Sequence, residues 1–322
     1  MERKQQGNET PITEFILLGF GNTSHLQIFL FLLFLVTYIV TMAGNIIIVV
    51  IVLADQNLHS PMYFFLGNLS FLETCYSCTL LPRLLVSLLT WDRSISVSGC
   101  LTQLYFFGSL LTTECSLLCV MAYDRYLAIL KPLHYAVILN EKFCRQLVAW
   151  SWISGFASVA IILFMMLQLK FCGPKEIDHF FCDFSPLLKL SCSDTCMVKV
   201  TASLHSCIFT LPLFLLTVSS YVCIISTILK IPSTTGRQKA FSTCSSHLTV
   251  VTIFYGALVT VYLLSGSEAP KDLNKVFSVV YGALTPLANP LIYSLKNKAV
   301  KEALKKAVLG VFVFDKSTDI SR

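Results

Sequence analysis

The chain has 322 residues, of which 55% are apolar and 13% are charged, and its mean hydropathy is +0.72. Soluble domains carry about 25% charged residues. This composition therefore excludes a soluble enzyme, a disordered chain and a nucleic-acid-binding protein. The net charge of +6 is modest for this length. We expect one membrane-embedded domain without enzymatic activity.

Seven apolar runs are long enough to cross a bilayer, which takes about 20 helical residues. They are apolar on every face rather than alternating, so membrane strands are excluded. We name the runs spans one to seven, with predicted limits 26–53, 60–87, 97–130, 143–168, 196–229, 240–264 and 272–295. The predicted fold is an all-α membrane protein, a seven-helix transmembrane bundle at 26–295.

The charges between the spans predict the orientation. With the amino end outside, the inner segments carry a net positive charge and the net charge of the outer segments is zero. This agrees with the excess of lysine and arginine that membrane proteins have in their cytoplasmic loops. Residues 1–25 would then be extracellular and residues 296–322 cytoplasmic. Asn8, in the sequence Asn8-Glu9-Thr10, is then a predicted glycosylation site. Asn22 lies in a similar triplet close to the membrane, and whether it is glycosylated stays open.

Four cysteines lie on the predicted outer side. Cys100 opens span three, and Cys172, Cys182 and Cys192 lie in the long outer segment 170–195. An oxidising compartment favours disulfides, and two bonds would hold this segment over the bundle as a lid. Spacing alone leaves three connectivities open.

Two acidic residues, Glu73 and Glu114, lie within spans at similar depths. A carboxylate at mid-membrane costs several kcal/mol, which is usually tolerated only for function. Either one acid is protonated or both share a sodium ion, with Asn289 in span seven as a third ligand. The alternative is a pair of neutral acids that are hydrogen-bonded between helices.

Arg125 lies eleven residues after Glu114, which places both on nearly the same helical face. We therefore expect both side chains to point into the bundle. Asp124 is adjacent and can pair with Arg125. An arginine at the inner end of a span could switch between a partner residue within the bundle and a partner molecule outside the protein. The alternative is that Arg125 only anchors the helix at the membrane interface.

Several motifs resemble those of known receptors. Gly44-Asn45, Asp124-Arg125-Tyr126 and Asn289-Pro290-Leu291-Ile292-Tyr293 stand where rhodopsin-like G protein-coupled receptors have their signatures. A narrower set resembles the olfactory receptors of the airborne-odorant group: PMYFFL at 61–66, MAYDRYLAI at 121–129, KAFSTCSSHL at 239–248 and PLANPLIYSLKNK at 286–298.

The resemblance implies specific roles. Cys100 would pair with Cys182, and Cys172 with Cys192. The partner would be a heterotrimeric G protein of the stimulatory olfactory type, which raises cyclic AMP. The residues implied in coupling and activation are Asp124, Arg125, Tyr126, Tyr221, His247, Asn289, Pro290 and Tyr293. One departure is Glu73, since the family usually has aspartate at that position.

Helical register predicts a ligand pocket among the outer halves of the spans. The predicted lining is Phe107, Gly108, Leu111, Thr112, Phe184, His205, Ser206, Phe209, Tyr255, Leu258, Val259, Tyr262, Val279 and Gly282. None of these is acidic, which disfavours an ammonium ligand. The set suits a small neutral volatile, bound mostly by apolar burial and oriented by one or two hydrogen bonds.

Residues 296–312 predict a short amphipathic helix on the inner membrane surface, where its lysines would meet anionic lipid. The alternative is a flexible tail. Two rival functions remain: a rhodopsin-like receptor for a lipid or peptide, and a membrane transporter. Apart from the sodium ion, no cofactor is expected.

Overall fold

The computed structural model describes residues 12–21, 24–172, 174–265, 271–297 and 299–306. Seven of its helices are long and apolar enough to cross a membrane, which confirms the predicted bundle. The helices of the spans are Ser24–Ala54, Pro61–Thr90, Val97–Leu130, Glu141–Met166, Cys196–His205 with Leu211–Leu229, Thr234–Ser265, and Lys271–Val279 with Thr285–Lys296.

Spans five and seven each contain a π-helical segment, Ser206–Thr210 and Val280–Leu284. Pro212 and Pro286 follow these segments, and each lacks the N–H that would continue the regular ladder. A π-helical turn holds one residue more than an α-helical turn. Side chains beyond it are therefore rotated by about 100° relative to an uninterrupted α-helix.

Short elements connect the spans. Two are helices, Tyr135–Ile138 and Phe184–Leu188, and two are 3₁₀ turns, Gln56–Leu58 and Pro132–His134. Residues 299–306 are also helical. In this last helix Val300 and Ala303 are buried while the lysines are exposed, as the amphipathic prediction requires. The remainder of that prediction, 307–312, lies outside the described residues.

A small three-stranded sheet covers one end of the bundle, which we call the outer face. Strand β1 (Glu14–Leu17) runs antiparallel to β2 (Ser94–Ser96) and parallel to β3 (Glu176–Ile177). Phe15 and Leu17 are buried in a separate outer core with Cys182. The sequence did not predict these strands, because each is too short for a recognisable alternation.

Span three lies at the centre of the bundle, and 72% of its most apolar stretch is buried. Span four approaches it closely at Gly155, where an added Cβ would overlap Thr113 Oγ1 and would lie 2.9 Å from the Ser109 carbonyl oxygen. Only glycine permits this approach. The central position of span three allows its residues to face both ends of the bundle.

Candidate functional site

A cavity of about 310 Å³ lies among the outer halves of spans three to seven and the loop between spans four and five. This volume is at the small end of the range for ligand sites, about 300–1,000 Å³. Its lining residues are Leu104, Phe107, Gly108, Leu111, Thr112, Cys115, Val159, Ile162, Asp183, Phe184, Ser185, Lys199, Ala202, Ser203, His205, Ser206, Thr210, Leu258, Val261 and Tyr281.

The structure places part of the predicted lining in this wall: Phe107, Gly108, Leu111, Thr112, Phe184, His205, Ser206 and Leu258. It does not place there Phe209, Tyr255, Val259, Val279 or Gly282. The side chain of Tyr262 lies outside the described residues. Whether the lining residues bind a ligand stays a prediction.

The two π-helical segments explain the errors in spans five and seven. Regular helical register predicted Phe209, but the extra residue of the π turn brings Thr210 to the cavity instead. In span seven Tyr281 lines the cavity instead of Val279 or Gly282. Gly282 packs against span two, where an added Cβ would lie 3.2 Å from Leu80 Cδ2.

The prediction of the lining residues in span six was wrong for a different reason. Tyr255 lies below the cavity floor, where its hydroxyl donates to the Cys115 carbonyl oxygen at 3.4 Å. Val259 is 40% exposed on the outside of the bundle. The face that meets the cavity carries Leu258 and Val261, one helical turn apart. The sequence shows that Leu258 and Val261 share one helical face, but it does not determine which face of the helix turns toward the bundle.

His205 lies at the cavity and also connects two spans. It lines the cavity, and its Nε2 is 3.0 Å from Ser158 Oγ, a hydrogen bond between spans four and five. Its ring also stacks on Phe209 with centroids 5.2 Å apart. These contacts fix the orientation of the imidazole.

The prediction that the lining contains no acid was wrong, because Asp183 lies in the wall. Its Oδ1 accepts a hydrogen bond from the Phe184 N–H at 2.8 Å. Burial raises the pKa of Asp183, and this hydrogen bond partly opposes the rise. A signal was present in the sequence: Asp183 follows Cys182, whose bond to Cys100 draws the loop to the mouth of the bundle.

Both disulfides have the pairing that the resemblance implied, Cys100 with Cys182 and Cys172 with Cys192. The lid that they hold is also tied to span seven. Lys275 Nζ donates to Asp178 Oδ1 at 2.6 Å and to the carbonyl oxygen of Gly19, in the amino-terminal segment, at 3.0 Å. Three distant parts of the chain therefore meet at the outer face.

Below the cavity the polar residues of mid-membrane are buried together. Neither oxygen of Glu73 or of Glu114 has a hydrogen-bond partner among the described residues, and the same holds for both amide atoms of Asn289. Asn45 lies beside Glu73 and donates to the Pro286 carbonyl oxygen at 3.1 Å. The described part of the chain has no group of three or more His, Cys, Asp or Glu suited to a metal ion. Any ion here would rest on two carboxylates and neutral oxygens.

A second cavity of about 840 Å³ opens at the inner end of the bundle. Asp124 and Arg125 line it and form an ion pair, and Tyr135 donates to Asp124 Oδ1 at 2.7 Å. Arg125 is 7% exposed. The predicted inward orientation of Glu114 and Arg125 is confirmed, since both are buried.

Only some of the other residues implied in activation lie at this inner cavity. His247 and Tyr293 line it, and Tyr221 is hydrogen-bonded to His247 Nδ1 at 2.5 Å. Tyr126, Asn289 and Pro290 do not line it. Pro290 instead packs against span one, where an added Cβ on Gly44 would lie 2.9 Å from its Cβ. Coupling through these residues stays a prediction.

The fold of the bundle is similar to that of a solved structure. The fold matches the crystal structure of squid rhodopsin with a TM-score of 0.72, over 90% of this chain and 87% of that chain, at 14% sequence identity. A sequence model of the olfactory receptor family matches residues 34–311. The chain belongs to the olfactory receptor family.

Individual olfactory receptors are similar over nearly the whole chain. Olfactory receptor 5AP2 of Mus musculus is 49% identical over 302 residues, 94% of this chain and 95% of the relative. Olfactory receptor 6B1 of Homo sapiens is 50% identical over 300 residues, 93% of this chain and 96% of the relative. The protein is therefore a multi-pass membrane receptor of a family that is not enzymatic.

Proposed function

We propose that this olfactory receptor binds a small neutral volatile in the outer cavity and activates a stimulatory heterotrimeric G protein, which raises cyclic AMP. The observation that carries the proposal is the presence in one bundle of a small outer cavity beneath the disulfide-bound loop and a larger inner cavity that is lined by the Asp124–Arg125 ion pair. Family membership supports the same assignment.

The outer cavity suits a ligand of about ten heavy atoms, which gains most of its binding energy from apolar burial. Phe107 and Leu111 from span three and Leu258 and Val261 from span six all line the cavity. A ligand changes a conformational equilibrium only through tighter contact with one arrangement. Contact with span six would supply that difference, because Tyr221 and His247 join spans five and six at the inner end.

The inner cavity provides the site for the G protein. In this arrangement Asp124 holds Arg125 as an ion pair. We propose that activation frees the Arg125 guanidinium to contact a helix of the G protein. The acid–base pair is buried, so its separation has to be compensated by the new partner.

The test is a cyclic AMP assay in cells that express the full chain, with a broad panel of volatiles. A response to at least one volatile is expected, and Arg125→Ala should abolish it while surface staining is retained. The control is Arg145→Ala, an exposed arginine on span four. A silent panel at normal surface expression would contradict the proposal, and ion movement into liposomes that contain the purified protein would favour a transporter.

A receptor for a non-odorant lipid or peptide is the second candidate. The small cavity beneath a disulfide-bound lid does not favour a peptide, which would need a wider opening. A response to lipids or peptides without any response to volatiles would support this candidate.

We further propose that a sodium ion modulates the receptor at Glu73, Glu114 and Asn289. The support is that the side-chain oxygens of these three residues are buried without a hydrogen-bond partner in the described part of the chain, since uncompensated buried polar groups cost free energy. The ion would supply positive charge between the two carboxylates. Purified receptor should unfold at a higher temperature in sodium than in potassium chloride, and Glu114→Gln should remove the difference. An equal unfolding temperature in both salts would contradict an ion at this site.

The proposed orientation has the amino end outside and the carboxyl end in the cytoplasm. The net positive charge of the inner segments supports it, as do the two disulfides, which form in an oxidising compartment. Exposed lysines on 299–306 would then meet anionic lipid. Glycosylation of Asn8, which lies outside the described residues, is proposed with the same orientation.

A further inference from the structure

The loop between spans four and five is attached to span three just before it reaches the outer cavity. Cys182 is joined to Cys100 by a disulfide, and the ring of Phe181 packs against that of Phe107 with centroids 4.7 Å apart. The two residues that follow Cys182 in the chain line the cavity. The position of the loop backbone at Cys182 therefore determines where this part of the cavity wall lies.

A buried glutamine provides a third contact at the same place. Gln103 is 7% exposed, and its Oε1 accepts a hydrogen bond from the Cys182 N–H at 3.0 Å. Cys100, Gln103 and Phe107 are spaced i, i+3 and i+7, so they share one face of span three. A disulfide, a hydrogen bond and an aromatic contact therefore hold two successive loop residues against one helical face.

The other end of the Gln103 amide binds span two. Its Nε2 donates to the Thr79 carbonyl oxygen at 3.0 Å. Thr79 lies in the helical turn before Pro82, and a proline within a helix disrupts the regular backbone ladder there. The Gln103 side chain therefore connects spans two and three to the loop, and its oxygen and its nitrogen are both hydrogen-bonded.

The hydrogen bond to Gln103 constrains the loop in a way that the disulfide does not. A disulfide joins two side chains, and the backbone can still change its orientation by rotation about the side-chain bonds. A hydrogen bond to the Cys182 N–H acts on the backbone itself, and so on the direction in which the chain continues to the cavity wall. A glutamine suits this position because its amide accepts through one atom and donates through another.

We propose that Gln103 is a positioning residue of the ligand site, which holds the loop backbone at Cys182 and thereby sets the size of ligand that the outer cavity accepts. Gln103 is not among the residues that line the cavity, so it acts through the loop. Its effect on ligands rests on the proposed odorant function, whereas its effect on the loop can be measured without a ligand.

The first measurement is hydrogen exchange of the purified receptor, followed by mass spectrometry. The loop peptide that contains Cys182 should exchange about tenfold faster in Gln103→Met than in the natural chain, because a buried N–H loses its acceptor. The helix Tyr135–Ile138 at the inner face is the internal reference, and its exchange should not change.

The second measurement is the cyclic AMP assay with straight-chain aldehydes of about four to ten carbons, a size range that suits the proposed ligand. In the natural chain, an aldehyde two carbons longer than the best one should need an effective concentration about tenfold higher or more, since a fixed pocket discriminates against added methylenes. Gln103→Met should reduce this ratio to about threefold or less. A role in stability alone would lower surface staining and the maximal response without changing the ratio.

Two variants serve as controls. Gln146→Met is the same change at an exposed position of span four, and should leave the exchange and the ratio unchanged. Gln103→Glu keeps the side-chain length and an oxygen for the Cys182 N–H, so it should stay within about twofold of the natural chain in both measurements. If Gln103→Met does not reach the cell surface, Gln103→Asn takes its place, because its amide is one methylene too short to reach both partners.

Two results would overturn the inference while leaving the odorant function standing. One is an unchanged exchange of the Cys182 peptide, or an equal increase in the peptide of Tyr135–Ile138, which would indicate a loss of stability throughout the bundle. The other is faster loop exchange with an unchanged ratio between the aldehydes. Silence of the natural chain to every volatile is a distinct result: it removes the proposed function and the effect on ligand size, while the exchange measurement still decides whether Gln103 holds the loop.

Discussion

The burial of His179 predicts a loss of stability in acid. This loop histidine is 1% exposed, between the rings of Phe180 and Phe181 at centroid distances of 4.7 and 4.5 Å. Neither ring nitrogen has a hydrogen-bond partner among the described residues. Burial, with a smaller contribution from Lys275, lowers the pKa of His179 from 6.5 to about 3, and Asp178 partly opposes this.

The sign and size of the effect follow from proton linkage. Between pH 6.5 and pH 3 the unfolded chain binds a proton at His179 that the folded receptor does not bind, so stability falls as the pH falls through this window. At about pH 5 the unfolded histidine is about 97% protonated and the folded one about 1%. The contribution of His179 to the free energy of unfolding should therefore be about 2 kcal/mol lower at this pH than at about pH 7.5.

The assay is unfolding of the purified receptor in detergent at these two pH values, for the natural chain and for His179→Phe. The phenyl ring preserves the aromatic contacts but cannot bind a proton. The variant should lose about 2 kcal/mol less than the natural chain on acidification. His134→Phe is the matched control, because His134 is exposed at the inner face and should leave the acid-dependent loss unchanged. An equal loss in the natural chain and His179→Phe would refute the reasoning.

Two further predictions concern packing and the lid. Gly155→Ala should lower the free energy of unfolding by about 1–3 kcal/mol, because the new Cβ would collide with Thr113. Gly256→Ala, where no described atom lies within 4 Å of the new Cβ, should be neutral or stabilising; equal unfolding temperatures for both variants would contradict this. Lys275→Met should speed protease cleavage of the outer loop, because the contacts of Lys275 with Asp178 and the amino-terminal segment are lost; unchanged cleavage would contradict it.

The bundle was predictable because spanning a bilayer is a local requirement. A helix with no water around it has to satisfy its own backbone and be apolar on every side, so length and composition identify it. The inner activation residues could likewise be predicted from the sequence. Arg125 follows from the face of span three that also carries Glu114, and both are buried as expected. The motif set in the sequence already pointed to the olfactory receptor family.

The ligand cavity was only partly predictable, because helical register fails where the helix changes pitch. Span three, a continuous α-helix, gave Phe107, Gly108, Leu111 and Thr112 correctly. Span five did not, since its π-helical turn moves Thr210 into the wall in place of Phe209. A single extra residue rotates everything beyond it, and no local sequence feature fixes where that residue is accommodated.

Patterns along the chain suffice to predict the number of spans, the family and the buried polar residues of mid-membrane, because each follows from neighbouring residues. Tertiary structure alone decided the sheet on the outer face, where β1 lies between strands about 80 and 160 residues away in the chain. It also decided that Asp183 and Lys199 lie in one cavity wall. Contacts between segments so far apart depend on how the helices and loop pack together, which no local pattern encodes.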